Sequence, residues 1–198
     1  MAATKKNSFM LSRAWLLREL PFLAKGIASL YAVPTPGLLD KGTKGWAMDM
    51  YGRIYYDPLV FESQKISSSG TAISHEFEHW FKKHFLRYAR LSIKIHWWNI
   101  CTDAEINNKP FYRKYLDDDC IFPEQFDWPR GKLAEEYALL IPPEPEEGEG
   151  GEEGEGEGGE GPGQPGNNPG QSPGEGDDHG SVVDGKPREW ELGPPSPQ

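Results

Sequence analysis

Hydrophobic positions along the first 110 residues recur mostly at helical spacing. Trp15, Leu16, Leu20, Phe22, Leu23, Ile27 and Leu30 form an apolar stripe. It predicts one amphipathic helix over 8–31, broken or bent near Pro21, where the ring removes a backbone donor. Val33-Pro34-Thr35-Pro36-Gly37 ends that helix. Between 46 and 56 the pattern is aromatic rather than periodic, and Asp49-Met50-Tyr51-Gly52 lies near its middle. Two short strands joined by a turn are expected there. Ser67-Ser68-Ser69-Gly70-Thr71 supplies several N-cap residues, and no Gly or Pro follows from Ala72 to Leu91. With Ile73, Phe77, Trp80, Phe81, Phe85 and Tyr88 at helical spacing, a helix over about 71–91 is predicted, its aromatic side facing a core. A second helix is predicted over 95–108, stopped by Pro110, and a last one over 131–140. Residues 111–130, with Asp117-Asp118-Asp119 and two prolines, read as irregular.

The pattern fails abruptly after Pro142-Pro143. Residues 144–180 carry no Val, Leu, Ile, Met, Phe, Tyr or Trp. Such a segment buries too little apolar surface to offset its ordering entropy, so it is expected to be disordered. Residues 181–198 regain Val182, Val183, Trp190 and Leu192, a short piece that either docks or frays. The expected organisation is a domain over 1–143, a Gly/Glu/Pro-rich linker over 144–180 and a short tail over 181–198.

This division changes the meaning of the charge. Residues 144–198 hold 15 of the 31 acidic residues and 2 of the 21 basic ones, a net of -13. The remainder carries +3, so the overall -10 belongs to the tail. A body so weakly basic does not suggest nucleic acid. The acidic tail could lie over a cationic cleft, although a solvated linker is the simpler reading. Cys101 and Cys120 make neither a C-x-x-C pair nor a disulfide framework, and reduced thiols are expected. No apolar run reaches membrane-spanning length, and Arg13, Arg18 and Glu19 interrupt any signal-peptide core. A cytoplasmic location, in a bacterium or an infected host cell, follows from these features.

The candidate chemistry sits on the predicted 71–91 helix. His75-Glu76-Phe77-Glu78-His79 reads H-E-x-x-H, and two imidazoles at i and i+4 can share one metal ion. With His75 at zero, His79 lies about 40° and Glu76 about 100° around the helix. Glu76 can therefore reach a water on that metal, whereas Glu78 reads as an exposed helix residue. Zinc sites that do chemistry take three protein ligands and keep one position open. His84 falls about 180° from His75 on an unbroken helix, so it can join only if the helix ends first. His96 opens the next helix and is one candidate; His179 lies in the low-complexity segment and is discounted. On the second helix Asn99, Asp103 and Asn107 form an i, i+4, i+8 polar stripe. Asp103 is favoured as the third ligand, with the two amides orienting side chains around it. Glu105 is the alternative but points to another face. His84 and Arg87, one turn apart, read as a pair supporting the ligands from behind.

These parts describe a hydrolase. Zinc lowers the pKa of its bound water, Glu76 takes a proton and returns it to the leaving amine, and the nucleophile attacks a polarised carbonyl. Arg87, His96 and Tyr112 are candidates to stabilise the oxyanion on chemical grounds.

Several segments resemble the putative metallopeptidase domain encoded by bacteria and their phages, often upstream of a von Willebrand factor A-like domain. "WAMDMYGRIYYDP" resembles the family's strand segment before the active helix. "HEFEHWFKKHFLR" is similar to its H-E-x-x-H-x-x-x-x-H-x-x-R helix, with His84 and Arg87 in matching places. "WNICTDAEIN" resembles its W-N-x-A-x-D-x-x-I-N segment, with Cys101 where Ala is usual. "LAEEYALL" and "GSVVDGKPREWE" are similar to later segments. The resemblance implies an α+β, mainly helical zincin-like fold with a small sheet or hairpin. It also implies a zinc site of His75, His79 and Asp103. A von Willebrand factor A-like domain is not expected here, so whatever it recruits or regulates would be supplied by a separate regulatory protein or is lost. The expected partner is a protein or peptide substrate, with neither nucleic acid nor membrane. The alternative is a catalytically inactive metal-binding or protein-interaction module.

Overall fold

The computed structural model describes residues 7–117, 120–142 and 178–195. The expected disorder of 144–180 lies outside them, apart from 178–180.

The first apolar stripe is realised as two helices. α1 (Ser8–Glu19) is capped by Asn7, whose side chain accepts from Met10 N at 3.1 Å. Pro21 stops it, a short 3-10 turn follows, and α2 (Ala24–Ser29) completes the stripe. Where the helix was expected only to end, β1 (Tyr31–Pro34) runs parallel to β3 (Arg53–Tyr56). β2 (Trp46–Met48) pairs antiparallel with β3, which gives the sheet order β1-β3-β2. Pro34, with no N–H, is tolerated at the end of edge strand β1. The β2–β3 turn is held by Asp49, whose Oδ1 accepts from Tyr51 N and Arg53 N, both at 2.9 Å.

Asp57 caps the unforeseen α3 (Pro58–Ser63) and also accepts from Gly37 N at 2.7 Å, tying the loop after β1 to the sheet. α4 (Ile66–Phe81) is the central helix, and every residue from Ser69 to His79 is buried. α1 lies against it where Gly70 leaves room: a Cβ there would come within 2.5 Å of the Trp15 ring. Not all of the aromatic set faces the core. Ile73 and Phe77 are buried, while Phe81 projects outward.

The predicted 71–91 helix is two helices. α4 ends at Phe81, Lys83 takes a left-handed conformation (φ 56°), and α5 (His84–Tyr88) sets off in a new direction. α6 (Ile95–Asn107) packs across α4, and part of the supposedly irregular stretch forms α7 (Pro110–Tyr115). α8 (Ala134–Ala138) covers α6.

The C-terminal segment neither frays nor stands apart. α9 (Ser181–Asp184) packs against α4, α5 and α6, with Val182 and Val183 in the same core as Ile73, Phe77 and Trp98. Trp190 packs edge-on to Tyr55 at 5.2 Å, and Leu192 N donates to the Tyr55 hydroxyl at 2.9 Å. No helix among the described residues is long and apolar enough to cross a membrane.

Candidate metal centre

The side chains that could hold a metal come from three places in the chain. α4 carries His75 and His79 one turn apart, and their Nε2 atoms lie 3.0 Å from each other. α6 presents Asp103, whose Oδ1 is 3.3 Å from His75 Nε2 and 3.2 Å from His79 Nε2. The fourth member, His179, arrives from beyond residue 177, with Nε2 3.4 Å from Asp103 Oδ1. All four ligand atoms lie within 4.8 Å of one another, and all four residues are buried.

These separations are those of a coordination sphere. Ligand atoms at about 2.0–2.1 Å from a tetrahedral ion sit about 3.3 Å apart. Asp103 Oδ1 and His179 Nε2 are buried and, among the described residues, make no hydrogen bond, only the approaches of 3.2–3.4 Å within the cluster, which is costly unless a cation satisfies them. Two further orphans, Glu76 Oε2 and His84 Nε2, adjoin the cluster. The residues therefore fit a metal ion.

Each histidine is also oriented from behind. With Nε2 turned to the centre, Nδ1 carries the proton and donates. His75 Nδ1 donates to Asn107 Oδ1 at 2.9 Å, and Asn107 Nδ2 in turn donates to Ile121 O at 2.9 Å. His79 Nδ1 donates to His84 Nδ1 at 2.8 Å. That leaves the His84 proton on Nε2, facing Glu105 Oε2 at 3.6 Å. His179 Nδ1 donates to Glu76 Oε1 at 2.9 Å.

A charged layer supports the His79 arm. Glu105 accepts from Lys82 Nζ at 2.8 Å, Arg87 Nη2 at 2.9 Å and Ala134 N at 2.9 Å. Arg87 also donates to Glu135 at 2.7 Å, so it steadies Glu105 rather than touching the cluster. Burial opposes the Glu105 charge, but His84, Arg87 and Lys82 hold its carboxyl far below the usual range. His79 is pushed well below its ordinary value by burial, which favours the neutral imidazole that a metal requires. Burial works against the Asp103 charge as well. The adjacent His179 and His75 overcome it and hold this carboxyl well below the usual range.

Several sequence expectations change. His179 was discounted because of its surroundings, yet it lies in the cluster: the packed α9 behind it fixes its position. Glu78 is not an exposed residue; it is buried and accepts from Lys109 and from the Tyr112 hydroxyl at 3.0 Å. Of the oxyanion candidates, Tyr112 is engaged with Glu78, Arg87 with the two glutamates, and His96 is exposed at the start of α6. His84 comes back to His79 because Lys83 breaks the helix. Asn107 is the amide that reaches a ligand; Asn99, half-buried, lies one turn before Asp103. Cys101 is buried, which raises its thiol to about 12 and leaves it inert. Lys44, Trp46, Leu116 and Cys120 line a narrow cleft that leads to His75, Asp103 and His179.

A family model described as a putative metallopeptidase domain matches residues 4–189. The chain belongs to that family. The match runs from before α1 to beyond α9, so it includes every member of the cluster. No curated protein and no solved structure matches the chain.

Proposed function

We propose that the chain is a zinc-dependent peptidase in which Glu76 is the general base. One observation carries this reading. The buried ligand atoms of His75, His79 and Asp103 converge at tetrahedral-edge distances, with the Glu76 carboxylate beside them on the same helix. The mixed imidazole and carboxylate donor set suits zinc. Zinc held there would act as a Lewis acid on a carbonyl and make a water acidic enough to attack it.

The protein's own groups do the rest. Asn107 and His84 fix the two α4 imidazoles, so the ligand geometry is set before substrate arrives. Glu76, fully buried, takes the proton of the attacking water and delivers it to the departing amine. β2 is an edge strand next to the cleft, and an extended peptide can add to it by backbone hydrogen bonds. The substrate is therefore a protein or peptide in extended conformation. The cytoplasm of a bacterium or an infected cell, where thiols stay reduced, belongs to the same reading.

A second reading has its own support. His179 supplies a fourth donor, and structural zinc sites are closed by four protein ligands. Zinc content after purification without added metal, combined with cleavage of fluorescein-labelled casein, separates the two. Glu76→Gln should keep zinc and lose about 10²–10⁴-fold in turnover. Equal cleavage by both proteins sinks the peptidase mechanism.

A further inference from the structure

One short piece of backbone, Asp178–Gly180, occupies three positions that a peptide substrate would need. The first is the metal's remaining corner, where His179 Nε2 lies 3.4 Å from Asp103 Oδ1 and completes the four-donor set. The second is the general base: Glu76 Oε1 accepts the His179 Nδ1 proton at 2.9 Å and so is engaged by a group that is not water. The third is the strand edge. Met48 N, on the free side of β2, donates to His179 O at 2.9 Å. Next to it, Asp178 N donates to Gly42 O at 2.9 Å. One residue thus lies on the sheet edge with its backbone, fills the coordination sphere with one ring nitrogen and holds the base with the other.

We infer that Asp178–Gly180 is an intrasteric plug, a substrate-like arm of the chain that closes the metal centre until an extended peptide displaces it. The inference rests on the peptidase reading for what the plug blocks. The packing separates the arm from its anchor. The anchor is α9 and the turn after it: Val182 and Val183 are fully buried, and Ser181 donates from N and Oγ to Glu191, both at 2.7 Å. The arm before it adds no residue to the apolar core. It is held by the bonds to Met48, Gly42 and Glu76 and by Arg188, which donates to both Asp178 oxygens at 2.7 and 2.9 Å. Gly180, at φ +82°, is the joint between the two. The arm can therefore swing at Gly180 while α9 stays in place. Releasing it costs polar contacts that a peptide on the same edge would replace.

The test uses the full chain loaded with cobalt(II) in place of zinc, and acetohydroxamate as a probe that needs an open metal position. Wild type, His179→Ala and Asp178→Ala are compared. Asp178→Ala keeps the imidazole but removes the arm's link to Arg188. The wild-type cobalt spectrum should show the intense visible bands of four-coordination. His179→Ala should weaken them several-fold as solvent enters. Acetohydroxamate should bind His179→Ala roughly tenfold tighter than wild type, the factor expected when only about a tenth of the molecules are open. Asp178→Ala should fall between them. Added imidazole should restore the wild-type spectrum of His179→Ala and compete with the hydroxamate. Cleavage of labelled casein by the zinc form should rise in parallel.

Equal acetohydroxamate affinity and unchanged spectra across the three proteins overturn the plug. So does a fall in casein cleavage in His179→Ala at unchanged hydroxamate affinity, which would make His179 a participant in turnover. If spectra and hydroxamate binding change as expected while casein cleavage stays insensitive to Glu76→Gln, the plug stands and the peptidase reading falls.

Discussion

α4 and the segment Asp178–Leu192 both deliver histidine to the same point, by opposite means. In α4 the two imidazoles are set by local geometry: one turn of helix places them on one face, and a helix buried on all sides holds them there. In the C-terminal segment nothing local suffices. His179 is placed by a four-residue helix in the core, by Trp190 on Tyr55 and by backbone bonds to Met48 and Gly42. Its bond to Glu76 spans 103 residues of chain. The first kind of ligand depends on secondary structure and the second on tertiary docking. Perturbations of helix, anchor and arm should therefore separate them.

The largest effect is expected at the local pair. His79→Ala removes a proposed ligand and leaves Asp103 buried without one of its partners. Zinc affinity should fall by more than about 100-fold, the upper end of the loss seen when only a ligand's hydrogen-bond partner is removed. Competition with a chelator measures it. A His79→Ala protein that holds zinc as tightly as wild type would remove α4 from the metal site.

Next is the charged layer behind His79. Glu105→Gln leaves Arg87 and Lys82 without their shared carboxylate and should cost about 3 kcal/mol at neutral pH. The pH dependence has a definite sign. The folded carboxyl lies far below its unfolded value of about 4.3, so its contribution is present above that value and is lost as pH falls below it. The gap in urea midpoint between wild type and variant should therefore stay nearly full from pH 7 down to about pH 4 and shrink progressively only as pH falls further, towards about 2. A constant gap would show that Glu105 acts through packing and not through its charge.

Smaller still is the amide behind His75. Asn107→Ala removes the acceptor of His75 Nδ1 and should weaken zinc about 10–100-fold without unfolding the protein. His84→Ala, on the other imidazole, should weaken it by a similar factor through His79 Nδ1. If only one of the two matters, the ligands on α4 are not equivalent.

The contrast also explains what the sequence could disclose. The convergence of His75, His79 and Asp103 was legible because each lies in a periodic segment whose faces can be counted. The β2–β3 hairpin was legible from Asp49 and Gly52. The break at Lys83 was not, since a left-handed lysine leaves no compositional mark; the supporting role of His84 was expected, but the route by which it reaches His79 was hidden. Glu78 was misjudged because its partners, Lys109 and Tyr112, come from α7 and the residue that caps it, a helix too short to show a period. β1 was missed because a four-residue strand closing on Val33-Pro34 looks like the end of a helix. His179 was hidden by its neighbours on the N-terminal side. The family-like segment GSVVDGKPREWE starts at Gly180, just past His179, and Val182, Val183, Trp190 and Leu192 were the apolar signals that something there is packed.

The smallest expected effects compare two glycines, one in each region. A Cβ at Gly70 in α4 would meet the Trp15 ring at 2.5 Å, and a Cβ at Gly180 would meet Met48 O at 2.5 Å. Gly70→Ala gains about 1 kcal/mol of helix propensity and loses it again by pushing α1 outward. Its cost falls on the α1–α4 contact, away from the ligands, so zinc affinity should stay as in wild type. Gly180→Ala forces a non-glycine residue to φ +82° and pushes it against the β2 edge, at about 1–3 kcal/mol. That strain falls on the arm that carries His179, and the anchor can hold while the arm shifts. Thermal stability should therefore change by only a few degrees in both variants, while bound metal becomes more open to acetohydroxamate in Gly180→Ala alone. An equal response in the two would mean that His179 is held by the whole fold, as His75 and His79 are, and that the arm has no freedom of its own.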